Sequence, residues 1–322
     1  MTEPAPAAVV ADISRRHAVR FIVLLGVVSL FADMTYEGAR SITGPYLALL
    51  GASATVVGFV AGFGELVGYA LRLLSGYISD RTGRYWAITI VGYCLNLLAV
   101  PLLALTGSWE LAAVLIVVER MGRAVRTPAR DAMLSHAGSH TGLGWGFGLH
   151  EALDQIGAVL GPLIVAAVIA FDGGYRMGFA VLAVPAVLAL AVLVAARIEY
   201  PRPRDFDLTP PEFTRRGLPR AFWIYLAAVA LIAAGYADFP LIAYHFGKTG
   251  IMAAAWIPVV YAVAMGADAV AALLLGRWFD RVGLYAMAVA TVGSALAAPL
   301  AFLGGPEMAV AGMVLWGVGM GA

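Results

Sequence analysis

The sequence predicts an all-α membrane protein, a bundle of long apolar helices, on three observations. First, 61% of the 322 residues are hydrophobic, only 13% are charged and the mean hydropathy is +0.86. A soluble chain carries roughly 25% charged residues, because it must cover a water-facing surface. Second, the charges gather in short stretches between apolar runs, each near the roughly 20 residues a helix needs to cross a hydrocarbon core. Third, a charged motif recurs two hundred residues later at a matching place in that pattern.

Apolar runs at 19–49, 54–77, 86–106, 109–128, 144–171, 177–197, 221–246, 252–275, 285–303 and 308–322 read as ten spans. Gly44-Pro45 marks the far end of the first. Basic residues set the orientation, since cytoplasmic loops carry the excess of Lys and Arg. With the N-terminus inside, Arg15, Arg16 and Arg20 lie in the inner tail and Arg81 and Arg84 in the second-to-third loop. Arg123, Arg126 and Arg130 fall in the fourth-to-fifth loop, and Arg277 and Arg281 in the eighth-to-ninth. Six more arginines fill the central connection, whereas Arg176 and Lys248 alone fall outside. This predicts a multi-pass protein of the plasma (inner) membrane with a cytoplasmic N-terminus. The basic start resembles a signal peptide, but the run behind it is too long and holds Asp33 and Glu37, so it reads as an uncleaved first helix.

Other classes find little support. A formal net charge of +1 argues against nucleic acid as a partner, and the single cysteine, Cys94, excludes an intrachain disulfide. The five histidines and Cys94 show no metal-ligand spacing, and no phosphate-binding loop of the nucleotide-hydrolase type occurs. No cofactor or metal is therefore expected. An enzyme acting on membrane lipid would need a nucleophile–base set or a metal cluster near one interface, and the sequence offers neither.

The repeat organises the chain. Gly76-Tyr-Ile-Ser-Asp80-Arg81-Thr-Gly83-Arg84 is echoed by Gly276-Arg-Trp-Phe-Asp280-Arg281-Val-Gly283-Leu284. Tyr36-Glu37 in the first span is matched by Tyr236-Ala-Asp238 in the seventh, and Glu65 by Asp268 about one turn displaced. Between the copies, 198–220 is charged and holds Pro201, Pro203, Pro210, Pro211 and Pro219. The expected organisation is a six-helix bundle at 1–197, a cytoplasmic linker at 198–220 and an incomplete bundle of helices 7 to 10 at 221–322. On the same offset Ala322 matches Gly122, inside a helix, so about ten of twelve transmembrane helices are expected in a C-terminally truncated chain. Two six-span halves related by such a repeat are the architecture of one large transporter class, with the site at their interface near the bilayer midplane.

These residues resemble the major facilitator superfamily over nearly the whole chain. The stretch Gly76 to Arg84 is similar to that family's signature between helices 2 and 3, with Tyr85 where a second basic residue is usual. Gly148, Gly157, Gly161 and Pro162 are spaced like the helix 5 motif of proton-coupled exporters, with Val165 and Ala166 in place of its closing glycines. Glu119-Arg120-Met-Gly-Arg123-Ala is loosely similar to an arginine-led motif linked to proton transfer. The resemblance implies two six-helix halves, alternating access and a small-molecule substrate exchanged against protons.

Ionisable side chains within the spans are the candidate site. A charge at the bilayer centre costs about 2.5–3.5 kcal/mol on insertion scales, so it faces a cavity or a partner. Asp33, Glu37 and Arg40 share one stripe of the first helix, where Glu37 and Arg40 are expected to pair and leave Asp33 for proton exchange. Glu65, Arg120, Glu151 and Asp154 are expected at comparable depth, with His150 one turn from Asp154. Asp33, Glu37, Arg40, Glu65, Arg120, Glu151 and Asp154 are thus the expected substrate- and proton-handling set. Gly76, Asp80, Arg81, Gly83 and Arg84, with Gly276, Asp280, Arg281 and Gly283, form an expected conformational latch, with Asp131 as a partner for Arg84. Structural bolts between helices are the competing reading for Glu37–Arg40 and Arg120. The function expected is secondary transport by a monomer, proton-coupled efflux of a small organic or drug-like molecule. The alternatives are a symporter importing a metabolite, a membrane sensor without turnover, or a lipid enzyme.

Overall fold

A computed structural model describes residues 7–138, 141, 143–202 and 220–321. It is helical throughout its ordered elements: α1 (Ala7–Leu49), α2 (Ala54–Thr82), α3 (Tyr85–Leu102), α4 (Trp109–Gly138), α5 (Leu143–Ala170), α6 (Gly174–Val181), α7 (Ala183–Glu199), α8 (Arg220–Gly235), α9 (Phe239–Thr249), α10 (Trp256–Val282), α11 (Leu284–Ser294), α12 (Ala297–Leu303) and α13 (Pro306–Met320). All ten predicted spans coincide with helix. Three of them are interrupted, so that α6–α7, α8–α9 and α11–α12 each fill the place of one. By length and composition, eight segments are long and apolar enough to cross a membrane, and Pro306–Met320 is a shorter apolar helix. The linker predicted at 198–220 lies mostly outside the described residues.

Two boundaries differ from expectation. α1 starts at Ala7 rather than near residue 19, so Arg16 and Arg20 ride on its third and fourth turns, where Arg20 pairs with Glu199 at 3.0 Å. α4 runs ten residues past the predicted end at 128. Pro128 sits inside this helix, where it packs beside Gly76 of α2. Arg123 and Arg126, inside the predicted span, and Arg130, beyond its end, are thus all helical residues facing α1 and α5 rather than residues of the fourth-to-fifth loop.

Local chemistry accounts for the helix ends. The Ser53 hydroxyl accepts from the Val56 amide at 3.3 Å and caps α2. Gly83 ends α2 at φ 66°, and Gly283 ends α10 at φ 63°. The repeated Asp-Arg-x-Gly string is thus a helix stop in both copies, since glycine enters positive φ without a steric penalty.

Three buried clusters hold the bundle. The first joins Phe21 and Leu25 of α1 to Tyr93 and Leu97 of α3, Met133 of α4 and Leu193 of α7. The second gathers Ile42 and Tyr46 with Val57, Leu103, Ile116 and Phe179. The third is built from Phe239, Phe246, Tyr261, Met313 and Trp316, and reaches back to Ala158 of α5. Outward faces are apolar and bare, as at Phe59, Leu66 and Leu73 of α2, which suits contact with lipid.

The elements on either side of the linker meet through α1 against α9 and α5 against α10. Gly44 of α1 lies directly on the Pro240 carbonyl and Tyr244 amide of α9, leaving no room for a Cβ. Gly157 and Gly161 of α5 lie in the same way on the Leu30 and Met34 carbonyls of α1. α8, in contrast, is exposed along 222–235. Gly122 of α4 meets Asn96 and Gly92 of α3 backbone to backbone, so Gly122→Ala is expected to cost about 1–3 kcal/mol through overpacking. Gly62→Ala, on an open helix face, is expected to be neutral or slightly stabilising. Thermal unfolding of the two variants in detergent micelles measures the contrast.

Candidate functional site

α4 carries Arg120, Arg123, Arg126 and Arg130 within about one third of its circumference, given 100° per residue. α1 presents Asp33, Glu37 and Arg40 in a stripe about 60° wide on the same helical geometry. The two rows face each other, and carboxylates from α2, α5 and the α8–α9 junction complete them.

Toward the C-terminal half of α1 and the N-terminus of α9 the contacts are short. Arg40 Nη2 lies 2.6 Å from Asp238 Oδ1, and Arg120 Nη2 lies 3.2 Å from Asp238 Oδ2. Arg120 Nη1 also meets Glu65 Oε1 at 2.5 Å and donates to the Ala61 carbonyl at 3.0 Å. Gly64 makes space for this arginine, whose Cδ occupies the place a Cβ would take. Asp238 stands at the N-cap of α9 but makes no side-chain cap bond; both its oxygens go to arginines of the other side of the linker. Charge-assisted pairs at such distances are strong.

Further along α4 the contacts lengthen. Arg123 Nη1 is 3.8 Å from Glu37 Oε1, and its guanidinium lies 4.3 Å from the Tyr36 ring centre. The other Glu37 oxygen accepts from the Tyr261 hydroxyl of α10. Arg126 Nη2 is 3.9 Å from Asp33 Oδ1, and its guanidinium lies 4.3 Å from the Tyr93 ring centre. Arg130 pairs with its neighbour Asp131 at 2.8 Å, donates to Ser29 Oγ at 3.2 Å and faces Asp154 at 3.9 Å. His150 Nε2 is 3.3 Å from Ser29 Oγ, while its Nδ1 faces Asp154 at 3.7 Å. On α5, Gln155 donates to Asp268 of α10 at 3.1 Å and to Glu151 at 3.3 Å.

The predicted residues divide accordingly. Asp33, Glu37, Arg40, Glu65, Arg120 and Asp154 converge on the interior, and Glu151 joins through Gln155 at an exposed edge. The expected Glu37–Arg40 pair does not form: Arg40 turns to Asp238 and Glu37 to Tyr261 and Arg123. The expected Arg84–Asp131 pair does not form either, because Asp131 is taken by Arg130. Among the described residues, no ion pair joins Asp80, Arg81 or Arg84 to a partner; Arg81 donates to the Tyr77 hydroxyl at 2.7 Å. Gly276 lines an open cavity of about 380 Å³ between α10 and α11, and the Asp280 side chain lies outside the described residues. Of the helix 5 motif, Gly157 and Gly161 make the close approach to α1, whereas Gly148 faces open space.

The sequence-predicted set left out Asp238, Arg123, Arg126, Arg130 and Tyr261, although Arg123 stands in the arginine-led motif and Asp238 in the repeat. For the arginines the signal was present, since their three- and four-residue spacing continues the face of Arg120. For Asp238 the offset from Glu37 gave the position but not the partner.

Asp238 ties α9 to α1 and α4, so Asp238→Asn is expected to loosen that end of the bundle. With Cys94 replaced by serine and cysteine placed at Ala243, which is fully buried on α9, maleimide labelling is expected to rise severalfold in the Asp238→Asn background. Unchanged labelling would show that the apolar contact alone keeps this end closed.

The chain was compared with known proteins. A family model described as Major Facilitator Superfamily matches residues 9–322. An uncharacterized protein of Mycobacterium tuberculosis is 47% identical over 230 residues, which cover 69% of this chain and 56% of that one. The match therefore spans little more than half the length of that relative. An uncharacterized MFS-type transporter of Methanocaldococcus jannaschii is 34% identical over 149 residues, 46% of this chain and 37% of that one. Among solved structures, the nucleoside transporter NupG aligns with a TM-score of 0.74 at 14% identity, covering 93% of this chain and 79% of that one. A bacterial homologue of the human lysosomal transporter Spinster, in an inward-facing and unoccupied conformation, aligns with a TM-score of 0.64 at 15% identity, covering 94% and 74%. At these identities the structural likeness speaks for the fold. With the family match spanning nearly all of its length, the chain belongs to the Major Facilitator Superfamily.

Proposed function

We propose that this chain is a secondary transporter that moves a small organic solute across the plasma membrane by alternating access, coupled to protons. In this reading 1–197 and 221–322 act as two moving bundles, and 198–220 is a cytoplasmic linker between them. The observation that carries it is the graded row of charges along α1 and α4 of the first bundle, which Asp238 of the second bundle joins at one end. At the C-terminal half of α1 and the N-terminus of α9, Asp238, Arg40, Arg120 and Glu65 are hydrogen-bonded and tightly matched. Toward the other end, Asp33, Glu37 and Asp154 face arginines at 3.8–3.9 Å, without direct hydrogen bonds to them. With the N-terminus cytoplasmic, the tight end faces outward and the state is closed to the outside. Exposed α8 then lies on the open, inner side.

Asp33 is assigned the proton. It is 5% exposed, lies in the middle of α1 and rests against Gly157 of the exporter-like motif of α5. A carboxylate there changes charge as the cavity opens to each side, which ties proton movement to the state of the bundles. The seat of Gly157 and Gly161 on α1 supports efflux of a drug-like molecule as the leading direction. The position of Asp33 beside Arg126 favours a second reading, import by proton symport, because protonation frees the arginine for a solute. The Gly76–Arg84 and Gly276–Gly283 segments are assigned the inner latch, engaged when the inner side closes.

Proteoliposomes under an imposed pH gradient provide the test. Gradient-driven flux of a solute from a panel of organic cations, anions and neutral molecules is expected, and Asp33→Asn is expected to abolish the driven component. Flux indifferent to both the gradient and the substitution would mean facilitated diffusion and end the proton assignment.

A further inference from the structure

Arg126 is 1% exposed, yet its Nε and Nη1 donors have no hydrogen-bond partner. Its Nη2 is 3.9 Å from Asp33 Oδ1, close enough for attraction and too far for a hydrogen bond. Asp33 Oδ1 is likewise buried and unpartnered. The other arginines of the row are differently placed. Arg40, Arg120 and Arg130 each hold a carboxylate at 2.5–2.8 Å, and the Arg123 side chain is 37% exposed. The guanidinium of Arg126 is also fixed in orientation. Tyr93 of α3 and Tyr36 of α1 lie 4.3 and 5.8 Å from it, and Gly92 brings the α3 backbone against its own. A planar cation beside two aromatic rings, with two donors free, is an oriented anchor.

Protonation changes its circumstances. Asp33 can take up a proton, whereas a guanidinium in a protein does not give one away. When Asp33 is neutral, Arg126 is a buried cation without its nearest counter-charge, which is costly to leave unpaired. The neighbouring acids are otherwise engaged. Glu37 of α1 bonds Tyr261 and faces Arg123, and Asp154 of α5 faces Arg130 and His150. Among the described residues, Asp33 is the one carboxylate within 4 Å of Arg126.

We propose that Arg126 anchors an acidic group of the transported solute, a carboxylate or phosphate-type oxyanion, with Asp33 as its internal competitor. The oxyanion binds when Asp33 is protonated and is displaced when Asp33 ionises. Arg123, more exposed and one turn along α4, gives it a first cationic contact. This inference rests on the second, proton-symport reading of Asp33, in which proton and solute bind together, but binding can be tested without transport.

Thermal stabilisation of the purified full chain by benzoate and phenyl phosphate, with benzyl alcohol and benzylamine as matched neutral and cationic probes, provides the test. The two oxyanions are expected to stabilise the protein at millimolar concentration, more at acidic than at alkaline pH, and the other two probes to do little. Arg126→Gln is expected to remove the response. Asp33→Asn is expected to strengthen it severalfold and to flatten its pH dependence, a gain that misfolding does not mimic. Stabilisation by benzylamine alone, an oxyanion response that survives Arg126→Gln, or no oxyanion response in either wild type or Asp33→Asn overturns the proposal. Oxyanion binding that meets these expectations while gradient-driven flux fails leaves the anchor standing and removes the transport reading.

Discussion

A permanently charged guanidinium packed inside a helix bundle must find counter-charge or water, and α4, which is not among the eight segments apolar enough to cross a membrane, carries four of them on one face. That requirement accounts for much of the surrounding structure. It draws the acidic stripe of α1 toward α4, pulls Glu65 of α2 inward and recruits Asp238 from beyond the linker. It also accounts for the small residues nearby. Gly64 leaves room for the Arg120 stem, and Gly92 and Gly122 let α3 and α4 meet at backbone distance so that Tyr93 covers Arg126.

The pairs are unequal, and the inequality has a direction. At the end where α1 packs on α9, every charged group of the quartet lies within hydrogen-bonding distance of another, and Gly44 seats α1 against the Pro240 carbonyl. Opening there means parting both oxygens of Asp238 from arginines and separating a backbone contact. At the other end α8 stands clear, and the charges facing one another are looser. The break at 236–238, between an exposed α8 and a docked α9, lets one predicted span serve both ends. A structure stiff at one end and loose at the other is suited to rocking about the middle.

Much of this could be read from the residues. Hydropathy located the helices, because lipid demands long apolar runs and leaves little latitude. The repeat located the two glycine stops, since Gly83 and Gly283 perform the same backbone task in both copies. The interior charges of α1 and α5 were also visible, being costly wherever they fall. What could not be read was pairing. Glu37 and Arg40 lie three residues apart and invite a local pair, yet long-range partners 224 and 198 positions away win both. Arg130 was hidden by a proline, while Arg123 and Arg126, although inside the predicted span, read as basic residues of the loop that follows it. Pro128 signals a helix end, but here the wider packing of α2 on α4 carries the helix through it. With the helix continuing, Arg130 joins Arg123 and Arg126 on the face of α4 turned toward α1 and α5.

The pairing of Asp238 with Arg40 ties α9 to α1 more closely than any other contact between residues 7–202 and 220–321 that carries charge on both sides. A double-mutant cycle with Arg40→Ala, Asp238→Ala and the double variant, read by thermal unfolding in lipid nanodiscs, isolates that term. Close charge pairs across interfaces have given coupling energies of about 1.5–7 kcal/mol, and a value in that range is expected here. Strict additivity of the two single losses would contradict the account.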